Sequence, residues 1–164
     1  MKKLFAVVAL LSLGLFAFAG YHEEEEPAAQ EVGEEAAFAD VIITLEAEGV
    51  AAWLVTAVEG ADAEEVAELN VENATLNLEV GQRYQFDVSG VDSSFHPLDF
   101  RDADGNVLLA QGDQEGAFEA AEGVAFEATD EAVVFTLTEE LAEAIATYHC
   151  SVHPPMVGDV VVAQ

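Results

Sequence analysis

From Phe38 onward the chain is written in short apolar runs, alternating or continuous, separated by turn residues, and this rhythm restricts the fold most. Runs at 41–45, 52–58, 75–80, 84–88, 95–100, 107–109, 133–137 and 160–162 suit strands and are too short for buried helices. Gly81-Gln82, Gly90 and Asp104-Gly105 supply turns between them. Many short strands at this spacing predict an all-β domain, an antiparallel sandwich or a small barrel. Two stretches depart from the rhythm. Residues 61–69 are Ala/Glu-rich and read as a short helix or an acidic loop, while 138–145 predicts one or two helical turns with Thr138 as N-cap. The chain shows no internal repeat, and 38–164 is long enough for one two-sheet core.

The preceding residues read as sorting and spacing segments. Lys2 and Lys3 form a basic start, 4–18 is apolar apart from Ser12 and Gly14, and Ala17-Phe18-Ala19 is an A-x-A cleavage site. Residues 1–19 are therefore expected to be a signal peptide, too short and wrongly flanked for a stable membrane span. No Cys follows the cleavage site to carry a lipid. The mature protein is expected to be exported, periplasmic or extracellular at the cell surface, without direct membrane insertion. Residues 20–37 carry seven glutamates with Pro27 and several alanines, the composition of a self-repelling flexible linker.

Charge narrows the partners. The chain has 33 Asp+Glu against 4 Lys+Arg, a formal net charge of −29. Nucleic acid is excluded as a partner, because phosphates need Lys and Arg to neutralise them, and an anionic membrane surface is disfavoured likewise. Disorder does not fit a chain that is 52% hydrophobic. Residues 38–164 alone hold 26 carboxylates against Arg83 and Arg101, a formal −24, so the acidity belongs to the folded unit. A lysine-free surface of this kind suits a saline habitat, or a partner of opposite charge.

Reactive side chains concentrate in Tyr148-His149-Cys150-Ser151-Val152-His153-Pro154-Pro155-Met156. Cys150 ends a predicted strand, His153 follows at C-x-x-H and Met156 at H-x-x-M, a spacing that a tight loop can turn toward one point. His96, at the end of another predicted strand, offers a second imidazole. Two His, one Cys and one Met are the ligand set of a mononuclear blue copper site: thiolate and thioether favour Cu(I), and imidazole suits both oxidation states. At this chain's own His and Met frequencies the spacing after its one Cys arises by chance about once in 3,000. Zinc is the nearest alternative metal, but structural zinc sites rarely recruit Met. Plainer readings exist for each residue: an inert thiol at Cys150, a loop His153, core filling at Met156, a strand-end His96. His149 alternates away from Cys150 and is not expected to be a ligand; His22 is read as incidental. Asp102-Ala103-Asp104-Gly105-Asn106 lacks the Gly position and the bidentate Glu of a calcium loop and reads as a hairpin turn. Asn73-Ala74-Thr75 matches a glycosylation sequon, which carries little weight beside a bacterial-type signal peptide.

The run Tyr148-His149-Cys150-x-x-His153-Pro154-x-Met156-x-Gly158-x-Val160-Val161-Val162 resembles the copper loop and final strand of the amicyanin- and plastocyanin-type cupredoxins. Asn73 to Leu78, Gly81 to Phe86 and His96-Pro97-Leu98 resemble the early strands of other cupredoxin-like domains, so the likeness covers roughly 70–164, with 38–69 matching loosely. The resemblance implies a Greek-key β-sandwich with one copper ion held at one end by His96, Cys150, His153 and Met156. It also implies a small soluble carrier of single electrons; a monomer is expected, working with a basic or cytochrome-like redox partner protein. One position departs from the pattern. Those families place Asn after the first His, its N–H bonded to the Cys sulfur; Pro97 has no N–H, so a more electron-rich thiolate and a lower potential are expected. Val152 keeps an N–H that can point at the sulfur, where several relatives carry Pro. Copper capture and delivery, and a metal-free interaction module, are the alternative roles. No enzyme is expected, since protein ligands fill the site.

Overall fold

The structure is a computed structural model that describes residues 38–163; the expected signal peptide 1–19, the linker 20–37 and Gln164 lie outside the described residues. Within them the order is β1 (Val41–Glu48), β2 (Ala52–Glu59), α1 (Ala63–Val66), β3 (Leu76–Glu79), β4 (Arg83–Asp87), β5 (Leu98–Arg101), β6 (Val107–Ala110), β7 (Glu127–Ala128), β8 (Ala132–Thr136), α2 (Glu139–Ala144), β9 (Thr147–Cys150) and β10 (Val157–Ala163). Period-two alternation sets the strand faces. In β1 Val41, Ile43 and Leu45 are buried while their neighbours are not, and β3 buries Leu76 and Leu78 between exposed Asn77 and Glu79.

The strands form two five-stranded sheets, ordered β2-β1-β4-β8-β7 and β3-β10-β9-β5-β6, so the domain is an all-β sandwich. Their inner faces meet in an aromatic cluster. Phe86 and Phe135 of the first sheet lie 5.7 Å apart and stack, and Phe100 of the second sheet sits 4.9 and 5.1 Å from them. All three are fully buried and belong to the apolar core between the sheets. The expected antiparallel pairing needs one correction: β1 pairs with β4, and β10 with β3, in parallel. These strands are brought together by connections that cross between sheets, which alternation within a strand does not encode.

Both helical expectations resolve into short elements. Asp62 caps α1 by accepting the Glu64 N–H at 3.1 Å, and Thr138 caps α2 by accepting the Leu141 N–H at 3.3 Å. The strand expected from residue 95 starts only at Leu98. Residues 92–96 turn instead, with the Phe95 and His96 N–H groups both donating to the Asp92 carbonyl and the Ser94 hydroxyl donating to the Asp92 carboxylate at 2.6 Å. The 102–106 segment is the expected hairpin turn: Asp102 accepts from the Asp104 and Asn106 N–H groups and from the Asn106 amide. Those bonds pull the Asp102 carboxyl below its ordinary range. Among the described residues, no helix is long and apolar enough to cross a membrane.

Candidate metal centre

The three donors arrive at the end of the second sheet where β9 finishes and β5 and β10 begin. On β9, Tyr148 and Cys150 are buried while Thr147 and His149 are half-buried on the other face. Register then supplies proximity: Cys150 is paired with Leu98 on β5, two residues after His96. Tyr148 holds this strand in depth. Its hydroxyl donates to the Ala74 carbonyl at 2.7 Å, and its ring lies against Gly158, where any Cβ would collide with it. Burial raises the Tyr148 phenol well above its ordinary value, so it stays a donor.

After Cys150 the chain folds back on itself. The Cys150 N–H donates to the Met156 carbonyl at 2.9 Å and the Met156 N–H to the His153 carbonyl at 3.0 Å. The Ser151 N–H donates to the Pro97 carbonyl at 3.0 Å. Pro97, which has no N–H to give, thus serves the site through its oxygen. The result is a cluster in which the Cys150 Sγ lies 3.4 Å from the His153 Nδ1 and 3.9 Å from the His96 Nδ1. Ligand atoms of these three residues all lie within 4.8 Å of one another. Two donors bound to one first-row metal at about 2.3 and 2.0 Å, roughly 110–120° apart, are separated by about 3.5–3.7 Å, and the observed spacings lie to either side of that range, close enough for a shared ion. His96, Cys150 and His153 form a group able to hold a metal ion, and no carboxylate joins it among the described residues.

The two imidazoles differ in setting. His96 is 8% exposed, edge-on to Trp53 with ring centroids at 6.3 Å and to Phe95 at 4.9 Å. Burial lowers its pKa, the neighbouring His153 lowers it further, and Asp92 opposes both. A neutral ring with a free nitrogen is what ligation requires. His153 is half-buried, with its ring 4.6 Å from that of His96 and 4.8 Å from Phe95. Met156 is fully buried, and its main chain is bonded to both Cys150 and His153, which puts it in the same loop as the three donors.

His149 lies on the opposite face of β9 as the alternation required; its Nε2 sits 2.7 Å from the Thr147 hydroxyl and the residue is in register with Asp99. Burial lowers its pKa, against the pull of Asp99. His22 lies outside the described residues. Sequence reasoning missed Phe95 and Trp53 as walls of the site. Phe95 had a signal in its adjacency to His96, whereas Trp53 stands 43 residues earlier on an apolar strand and had none.

Comparison with protein-family models, with known proteins and with solved structures finds no match to this chain. What the site can do therefore rests on its own chemistry. One thiol and two imidazoles, largely withdrawn from water, favour a borderline or soft metal ion over Mg²⁺ or Ca²⁺, which take oxygen ligands.

Proposed function

We propose that the protein is an exported cupredoxin that carries single electrons on one mononuclear copper ion. The observation that supports it most is the Cys150 thiol, 3.4 and 3.9 Å from two imidazole Nδ1 atoms, in the loop that also buries Met156. His96, Cys150 and His153 would hold the ion, with the Met156 thioether as a weaker fourth ligand. Bound copper supplies a one-electron couple. The chain's own part is to hold three donors in place from two strand ends and a closed loop, so that little rearranges as charge changes.

His153 is the exit ligand in this reading, because it is the less buried imidazole. Around it lie exposed Phe95, Val152, Pro154 and Pro155, and residues 144–158 contain no acid at all. The remaining surface is strongly anionic. Arg83 is ion-paired with Glu127 at 2.7 Å, and Arg101 with Asp99 at 2.8 Å. A small uncharged contact face within an acidic surround suits brief association with a basic redox partner protein, cytochrome-like in kind, in which fast release matters more than affinity. The protein would act as a monomer, in the periplasm or at the cell surface, and not as an enzyme, because four ligands supplied by the protein would leave no open position on the ion for a substrate.

The test is a visible spectrum of the purified protein on Cu(II) addition. One equivalent should produce an intense thiolate-to-copper band that Cys150→Ala abolishes. A colourless Cu(II) complex sinks the reading, and a coloured one that exchanges copper rapidly with chelators but self-exchanges electrons slowly favours copper delivery instead.

A further inference from the structure

The loop that carries His153 is tied to the surrounding structure at two places. At its start, the Ser151 N–H reaches the Pro97 carbonyl at 3.0 Å. Near its end, the Asn73 side-chain amide donates to the Pro155 carbonyl at 3.1 Å, across 82 residues of sequence. The Cys150–Met156 and Met156–His153 bonds are internal to the loop and only close it.

Asn73 is itself held in place. Its N–H donates to the Trp53 carbonyl at 2.8 Å, and its Oδ1 accepts the Trp53 N–H at 3.0 Å. Because the amide oxygen must face that N–H, the amide nitrogen is the atom turned to Pro155; the partners themselves decide the orientation. The backbone is left-handed, φ +51°, a conformation Asn adopts more readily than most residues. The Trp53 indole packs edge-on against His96. One side chain thus connects the strand that walls His96 to the loop that presents His153.

We propose that Asn73 is the positioning residue of the metal centre: its amide fastens the 153–156 segment to the Trp53 strand and so fixes how far His153 stands from Cys150 and His96. The role of the centre rests on the copper reading, whereas the clamp is a property of the metal-free chain. It also gives the Asn73-Ala74-Thr75 triplet a structural use, since both ends of the amide are engaged. Aspartate at 73 keeps an acceptor for Trp53 and tolerates the backbone, but sets a carboxylate oxygen against the Pro155 carbonyl in place of a donor.

The experiment compares Asn73→Asp and Asn73→Gly with Asn77→Asp, whose amide donates to the Val66 carbonyl at 3.4 Å, on α1. In metal-free protein, hydrogen exchange at the Cys150, Ser151 and Met156 amides should speed up roughly five- to tenfold in both Asn73 variants, the factor one neutral hydrogen bond supports. Exchange at Phe86 and Phe135 should not change. In Cu(II)-loaded protein the relative intensities of the thiolate-to-copper bands should shift, and a chelator should strip the metal faster. Asn77→Asp should move none of these. Wild-type loop exchange in both Asn73 variants overturns the proposal, with or without copper. Accelerated loop exchange in protein that gives a colourless copper complex supports the clamp and overturns the copper reading.

Discussion

The two segments that bring imidazoles to the centre are built in different ways. Residues 92–97 form a turn closed on Asp92, and the His96 that ends it is buried between Trp53 and Phe95. Residues 150–156 form a loop closed on itself, with its outer edge of Val152, Pro154 and Pro155 in solvent and His153 only half-buried. The first packs its imidazole into the interior, whereas the second anchors Cys150 and Met156 in the core and leaves its imidazole near the surface. A site made this way has one ligand that belongs to the core and one that belongs to the surface, with Cys150 shared between them.

The largest break in that comparison comes from removing the shared donor. Cys150→Ser should lose the thiolate-to-copper band entirely and still fold, as checked by the visible spectrum and by far-UV circular dichroism. Next comes the contrast between the imidazoles. His96→Ala leaves a gap beside Trp53 and Phe95 and should lower the stability of the metal-free protein by about 1–3 kcal/mol in urea titration, while His153→Ala should stay within about 0.5 kcal/mol. Equal costs would show that the two segments are anchored alike.

A pH titration sharpens the same point with a smaller effect. The His96 pKa is depressed, by burial first and by His153 second, so the unfolded chain binds the proton more readily than the folded one. Its contribution is fully present above the unfolded value of about 6.5 and is lost as pH falls through the lower folded value. The difference in stability between wild type and His96→Gln, both metal-free, should therefore shrink as pH drops below about 6.5. A difference that is flat or grows would contradict a buried neutral ring. The smallest effect concerns salt. The 26 carboxylates of 38–164 repel one another, so the urea midpoint should rise with NaCl, whereas the acid-free 144–158 segment predicts a copper spectrum insensitive to salt.

Local features of the fold were legible early because they follow from local rules. The apolar pattern marked β3, β4 and β8 to within a residue and the start of β1, whose end lies three residues later than expected; Thr138 was recognisable as a cap, and His149 was correctly turned away from Cys150. Residues 95–97 were misread as strand because Phe, His and Pro suit a β edge by composition. What decides otherwise is the Asp92 turn, whose closing bonds go to main-chain atoms. The two-residue β7 lay below any periodic signal, and the parallel pairs β1/β4 and β3/β10 join strands that alternation treats alike in either direction.

By itself the sequence determined that a thiol, an imidazole and a thioether fall within one tight loop, since Cys150, His153 and Met156 are three residues apart and a short chain cannot separate them far. Only the tertiary structure decided that His96, 54 residues before Cys150, comes within 3.9 Å of its sulfur. That distance is set by the β5–β9 register, which aligns Leu98 with Cys150. Trp53 and Asn73 joined the site the same way, through long-range contacts: Asn73 bonds to Trp53 and to Pro155, and Trp53 packs on His96. Register is fixed by burying whole strand faces together, a property of the assembled sheets that no single segment carries.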